Sequence, residues 1–416
     1  MALFPARALL PLLAIALLPA CAETPPREIT PWATAFPVQG SANINALSVD
    51  AYSGSVALAG TFSGSMDFGT GPLESYFGSD IFVAQLGDTG KPGWGGHTGG
   101  SPYLGQQGVA VAPNGDVIAT GMFTESIGFG GTPLKTTSQS SYLVRFDAAG
   151  TLLWQQKLGT DSNVVTAAAV AVDSEGNAVI AGSFTGEASL GGFNLVSPGQ
   201  STFIAKYDAS GNPIFGHAYG GSGHAAVSVA CDTFGNTVIY GRNNGDLYVR
   251  MESWVASGNE AFVAKIDRQG SDLWAIEVGS LDSYLQPSGL ALSPSGEAVI
   301  TGAFYSGVSL GALEVSAVDQ NSTAFVGKLS ADGKPLWLKA LGGNGPSGNN
   351  VNAVAVGGAG DIYVTGSYSG EADLGTGPLP RRSTPLSSWA SSAPTASRGH
   401  SAPSTPPRPC SPRDRP

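Results

Sequence analysis

The chain has 416 residues, of which 59 are Gly and 12% are charged, with a formal net charge of −11. So much glycine and so little charge suit many short strands joined by tight turns and exclude a helical bundle. A surface this acidic repels phosphate backbones, which excludes nucleic acid as a partner.

Residues 1–22 have the form of an export signal. Arg7 supplies the positive start, and residues 8–18 are an apolar run shorter than a membrane-crossing helix needs. The run ends in Leu18-Pro19-Ala20-Cys21, which resembles the lipobox of bacterial lipoproteins. On that reading Cys21 is the lipidation site, and the N-terminal lipid holds the protein at the outer membrane, facing the periplasm or the surface. Read as a small-x-small cleavage site, Ala20-Cys21-Ala22 gives a secreted product instead.

Residues 28–379 repeat with a period of about 60 residues. An anchor glycine recurs at Gly60, Gly121, Gly182, Gly241, Gly302 and Gly366. Between anchors come an aromatic at a strand start (Phe82, Tyr142, Phe203, Phe262, Phe325) and a turn glycine (Gly90, Gly150, Gly211, Gly270, Gly333). Four residues after each turn glycine stands Trp94, Trp154, Phe215, Trp274 or Trp337.

One unit, taken in order, reads as four strands. Residues 109–112 are a short apolar run stopped by Pro113-Asn114-Gly115. Residues 116–123 are β-branched and apolar, 142–146 alternate, and 152–158 close the unit after the turn at 147–150. Four antiparallel strands per unit make a propeller blade, and stacking blades buries sheet faces that no blade can bury alone. The fold class is therefore all-β, a β-propeller of six four-stranded blades with the last incomplete. Residues 31–36, with Trp32, align with the fourth strand at 335–341. The array thus starts on an orphan fourth strand that would zip the sixth blade to the first.

Phrases such as Gly176-Asn177-Ala178-Val179-Ile180-Ala181-Gly182-Ser183-Phe184 and Phe203-Ile204-Ala205-Lys206-Tyr207-Asp208-Ala209-Ser210-Gly211 resemble the bacterial β-propeller repeat called SBBP, as does the stretch 337–343. The resemblance spans about residues 30–378. It implies an extracytoplasmic propeller and brings no catalytic motif.

Residues 380–416 break the pattern and read as a disordered tail rich in Pro, Ser and Arg. Residues 387–398 can be written with GC-rich codons that in another frame spell V-V-G-K-L-S-A-D-G-K-P, the last ten letters of which stand at 326–335. The tail is accordingly read as a frameshift product, a reading that the coding nucleotides decide.

Chemical motifs are sparse. Of His97, His217, His224 and His400, only His217 and His224 lie close in the chain; they lack a third ligand and match no zinc spacing, and no metal or cofactor is expected. The Asp-x-x-Gly turns at 147–150, 208–211 and 267–270 read as side chains capping their own backbone, since Ser330 replaces the Asp in the fifth copy. Asp50, Asp173 and Asp232 recur at one repeat position and read as turn residues. Cys231 stands where sister repeats carry Val172 and Ala112 and reads as a small core hydrophobe.

The fourth unit alone departs from the pattern, with Gly241-Arg242-Asn243-Asn244-Gly245-Asp246-Leu247-Tyr248-Val249-Arg250-Met251-Glu252-Ser253-Trp254. Arg242, Asn243, Tyr248, Arg250 and Trp254 are its candidate ligand contacts, suited to a glycan or peptide. The expected function is a monomeric, non-catalytic binding or scaffold module at the cell envelope. The alternatives are a propeller-type lyase or glycosidase and an outer-membrane assembly factor.

Overall fold

The computed structural model describes residues 32–50, 53–76, 78–220, 223–244, 246–249, 252–255, 260–280, 284–317, 321–343, 348–370, 372–373 and 382–393. Cys21 and Arg250 lie outside them, as does the tail beyond residue 393. Every regular element among the described residues is a β-strand.

Five successive sheets each hold four antiparallel strands in chain order. The first is Val38–Val49, Val56–Asp67, Asp80–Leu86 and Pro92–His97; the second is Gly99–Val111, Val117–Gly128, Ser140–Phe146 and Leu152–Leu158. The third is Val165–Val172, Ala178–Ser189, Asn194–Tyr207 and Pro213–Tyr219. The fourth is Ala225–Cys231, Thr237–Asn243, Glu260–Ile266 and Asp272–Ser280. The fifth is Leu285–Leu292, Ala298–Phe304, Thr323–Leu329 and Pro335–Gly343. A sixth sheet pairs Asn350–Val356, Ile362–Gly370 and Arg382–Ala393.

The first strand of each sheet touches the first strand of the next, from Val38–Val49 through to Asn350–Val356. Successive sheets therefore meet face to face along a shared line of first strands, blade against blade. Clusters of buried side chains fill the interfaces. One joins Ile118 and Leu143 of the second sheet to Val165, Ile180 and Phe203 of the third.

The recurring markers have direct packing causes. The anchor glycine faces the strand-three aromatic in register: Gly60 opposite Phe82, Gly182 opposite Phe203, Gly302 opposite Phe325. Strand one bulges beside the same glycine, as between Ala167 and Ala169. A Cβ at Gly182 would strike the Thr166 carbonyl oxygen and the Phe203 ring. Only glycine lets the bulged strand and the aromatic ring close on the same spot.

The other two markers meet across sheet boundaries. Trp94 of the first sheet lies on Gly150 of the second, Trp154 on Gly211, Phe215 on Gly270, and Trp274 on Gly333. Gly150 has φ +85°, so a side chain there would be strained and would also collide with Trp94. Each tight turn is thus a seat for the aromatic of the preceding sheet, which explains why turn glycine and aromatic recur together.

Two segments differ from expectation. Of residues 31–36, expected as a fourth strand, 32–36 are described; they form no strand and pair with no described strand. Trp32 nevertheless lies on Gly90 and donates from Nε1 to the Asp88 carbonyl at 2.9 Å, the seat that the repeat assigns to a preceding fourth strand. Arg382–Ala393, inside the segment expected to be disordered, pairs with Ile362–Gly370. The open edge of that strand carries backbone donors and acceptors, and the following chain satisfies them despite its composition.

Candidate functional site

Antiparallel order gives the sheets two unlike ends. The turns between strands one and two and between strands three and four share one end. The two-to-three connections and the passages between sheets share the other.

The first end is built from repeated, internally satisfied turns. Asp173 Oδ1 accepts from the backbone N–H of Glu175 and Asn177, and Asp232 Oδ1 accepts from Phe234 and Asn236. Asp147, Asp208 and Asp267 cap the strand three-to-four turns in the same way. The turn reading of these aspartates holds.

The same end carries a device that the sequence reading missed. The buried Arg145 donates from Nε to Asp116 at 2.8 Å in its own sheet and from Nη1 to the Gly176 carbonyl of the next at 2.7 Å. Lys206 pairs with Asp173 at 2.7 Å and donates to Gly235 of the next sheet at 3.1 Å. Lys265 pairs with Asp232 at 2.9 Å and reaches Ala331 of the next. Gln85 makes the neutral version, donating to Gly115. Lys328 keeps the pair, with Glu297 at 2.8 Å. Burial opposes the charged form of Asp232, but hydrogen bonds from Lys265 and Asn236 outweigh it and hold the carboxyl below the ordinary range. A cation in the middle of strand three, some 30 residues after an acidic turn, is the signal that would have found these struts.

Cys231 is partly buried against the apolar cluster of Val229 and Ile239, and burial pushes its thiol up to about 12. That is an inert thiol, as expected.

The opposite end is irregular. In the fourth unit Asp246–Val249 and Glu252–Val255 form a separate two-stranded hairpin, with Leu247 opposite Trp254 and Tyr248 opposite Ser253. Arg242 is exposed, whereas Asn243 is fully buried at the end of strand two, opposite Glu260. The structure thus brings Tyr248 and Trp254 into one hairpin, while Asn243, expected as a ligand contact, is buried at the end of strand two.

Beside Asn243, the buried Glu260 hydrogen-bonds Glu277 of strand four. Burial, then the hydrogen bond and charge of Glu260, push the Glu277 carboxyl up to about 8. The pair holds one proton at neutral pH, because two adjacent carboxylates resist joint ionisation. A direct hydrogen bond sets the two closer than the roughly 5–10 Å separations of glycosidase carboxylates.

In the first unit the same two register positions carry Asp80 and His97, 3.2 Å apart, with the exposed Tyr76 stacked on the imidazole. His217 stacks on Phe215, and His224 is buried at the start of the fourth sheet. Among the described residues, no group of three His, Cys, Asp or Glu side chains is placed to hold a metal ion. The exposed large tyrosines, Tyr76, Tyr284 and Tyr305, all stand at this second end.

No protein-family model matches the sequence, and no curated protein does. Among solved structures the chain is similar to hydrazine synthase of Kuenenia stuttgartiensis, at 13% identity over 78% of this chain and 75% of that one, with a TM-score of 0.46. It is similar to the Dos1 propeller at 11% identity, covering 80% and 69% of the two chains, with a TM-score of 0.40. A Bacteroides caccae protein of unknown function gives 8% identity, 74% and 85% coverage, and a TM-score of 0.37. Scores of this size leave the architecture to rest on the sheets and their contacts.

Proposed function

We propose that the protein is an exported, lipid-anchored β-propeller of six blades that serves as a non-catalytic binding or scaffold module at the bacterial cell envelope. Cys21 carries the lipid, the molecule is a monomer, and the ring closes between the sixth sheet and the segment around Trp32. Its ligand is an envelope glycan or protein, taken up at the end that bears the two-to-three connections.

One observation carries this reading. At the first end the acidic turns and strand-three cations are spent on holding sheet to sheet, with partners inside the repeat. The break in the repeat, the hairpin at 246–255, stands at the second end. Repeat arrays commonly place function where regularity is given up, because the scaffold elsewhere asks only for regularity.

Two experiments test it. Radiolabelled palmitate should enter the protein in bacterial cells and be lost in Cys21→Ser; unlabelled protein released to the medium would exclude the anchor. The full chain should capture a component of solubilised envelopes. Replacing residues 245–256 with an Asn-Gly turn should abolish or weaken that capture while the melting temperature stays within a few degrees. A full chain that captures nothing would overturn the binding reading.

A further inference from the structure

At the second end of the fifth sheet two tyrosines form a corner. Tyr284 immediately precedes the first strand, Leu285–Leu292, and Tyr305 immediately follows the second, Ala298–Phe304. Leu285 pairs with Phe304, so Tyr284 and Tyr305 occupy the next register position outward. Their ring centroids are 5.2 Å apart at an interplanar angle of 73°. They are 42% and 44% exposed. The Tyr284 hydroxyl donates to Gln286 Oε1 at 3.2 Å, and Gln286 is itself exposed.

The repeat supplies its own comparison. The corresponding positions hold Ser41 and Ser63 in the first sheet, Val164 and Thr185 in the third, Gly223 and Asn244 in the fourth, and Gly348 and Ser369 in the sixth. None of these pairs holds an aromatic, so the strands end without one. Tyr142, Tyr207, Tyr219, Tyr240 and Tyr368 are buried, whereas the exposed Tyr76 is stacked on His97. Two tyrosines left in solvent at one such pair are not needed by the scaffold.

We infer that Tyr284, Tyr305 and Gln286 form a binding corner for the ring of a neutral sugar within an oligosaccharide. The inference rests on the reading of the protein as a binding module and names the ligand class. A pyranose presents a face of C–H bonds, which packs against the electron-rich face of an aromatic ring. Two rings set nearly at right angles offer a floor and a wall to such a disc. Gln286 Oε1 is engaged by the Tyr284 hydroxyl, so its amide brings N–H donors to sugar oxygens. Because Tyr284 and Leu285 begin a first strand, the corner stands at the mouth of the line where the sheets meet. The net charge of −11 opposes uronic-acid and sialylated chains, which points to neutral sugars.

The test is isothermal titration of the full chain with cellohexaose, chitohexaose and maltohexaose, with oligogalacturonate and choline as contrasting probes. At least one neutral hexasaccharide should bind. Tyr305→Ala should weaken it about tenfold, as expected for truncating an aromatic anchor. Tyr305→Phe should bind like the parent, and Tyr284→Phe, which keeps the ring and loses the bond to Gln286, should fall between. If Tyr305→Ala does not fold, Tyr284→Phe combined with Gln286→Ala decides instead, with a clear loss expected.

The inference is overturned by undiminished binding in these variants, by binding of choline or oligogalacturonate in preference to the neutral sugars, or by no sugar binding in the parent. A parent that captures an envelope protein yet binds no sugar removes this inference and leaves the binding module standing. Failure of both removes the two together.

Discussion

At Gly182 an added methyl group would sit 2.8 Å from the Phe203 ring and inside contact distance of the Thr166 carbonyl oxygen. Neither neighbour can yield, since Phe203 is fully buried and Thr166 belongs to the bulged first strand. Gly96 offers the opposite case, with nothing within 4 Å of the same added atom. Gly182→Ala should therefore cost about 2–3 kcal/mol, the range of overpacked cores. Gly96→Ala should be neutral or slightly stabilising, because it restricts the unfolded chain. Guanidinium unfolding of the two variants checks both, and equal midpoints would mean that the anchor glycine has another cause.

Within the fourth sheet, Glu260 and Glu277 give strands three and four a pH dependence opposite in sign to that of the turn aspartates. The folded state keeps a proton on Glu277 up to about pH 8 that the unfolded chain releases near 4.5. Folding therefore binds a proton across that window, and stability falls as pH rises through it. Asp232, held below its ordinary value, contributes stability that is lost only as pH falls into the acid range. Glu277→Gln should flatten the melting temperature between about pH 5 and 8 and raise it at pH 8, because an amide donates to Glu260 without titrating. Parallel pH curves for parent and variant would show that the pair carries no shared proton.

Strand order was legible at this scale because period-two alternation, β-branching and turn residues all report on local backbone. The second unit was read as strands at 116–123, 142–146 and 152–158, and these are found as Val117–Gly128, Ser140–Phe146 and Leu152–Leu158. The struts were missed: the recurring cation and acidic turn mark the ion pair within a sheet but not its reach into the next. Arg145 and Gly176 lie 31 residues apart in different sheets, and local pattern does not report which sheets face each other. Tyr284 and Tyr305 likewise pass for unremarkable strand ends until the register sets them side by side. The fourth unit's irregularity was visible, but the burial of Asn243 was not.

For the molecule as a whole, the deciding quantity is whether the run of sheet-to-sheet seats closes on itself. Trp32 seats on the first sheet as Trp94, Trp154 and Trp274 seat on the second, third and fifth, with the Nε1 hydrogen bond to a turn carbonyl repeated by Trp154 and Trp274. In an open stack, sheets couple only to neighbours and the end sheet frays first. Trp32→Ala would then loosen the first sheet alone and leave the main melting transition where it was. In a closed ring the Trp32 seat is one interface among equals. Its loss should cost what Trp154→Ala costs, about 3 kcal/mol for deleting a packed indole, and should broaden the calorimetric transition as the ring opens. Trp32 and Trp154 are both half-buried, so the comparison is between like seats. Scanning calorimetry of the two variants, with hydrogen exchange of Asp80–Leu86 against Thr323–Leu329, separates the cases. Equal shifts with exchange raised in both strands indicate a ring, and an unmoved transition with exchange raised only in Asp80–Leu86 indicates a stack.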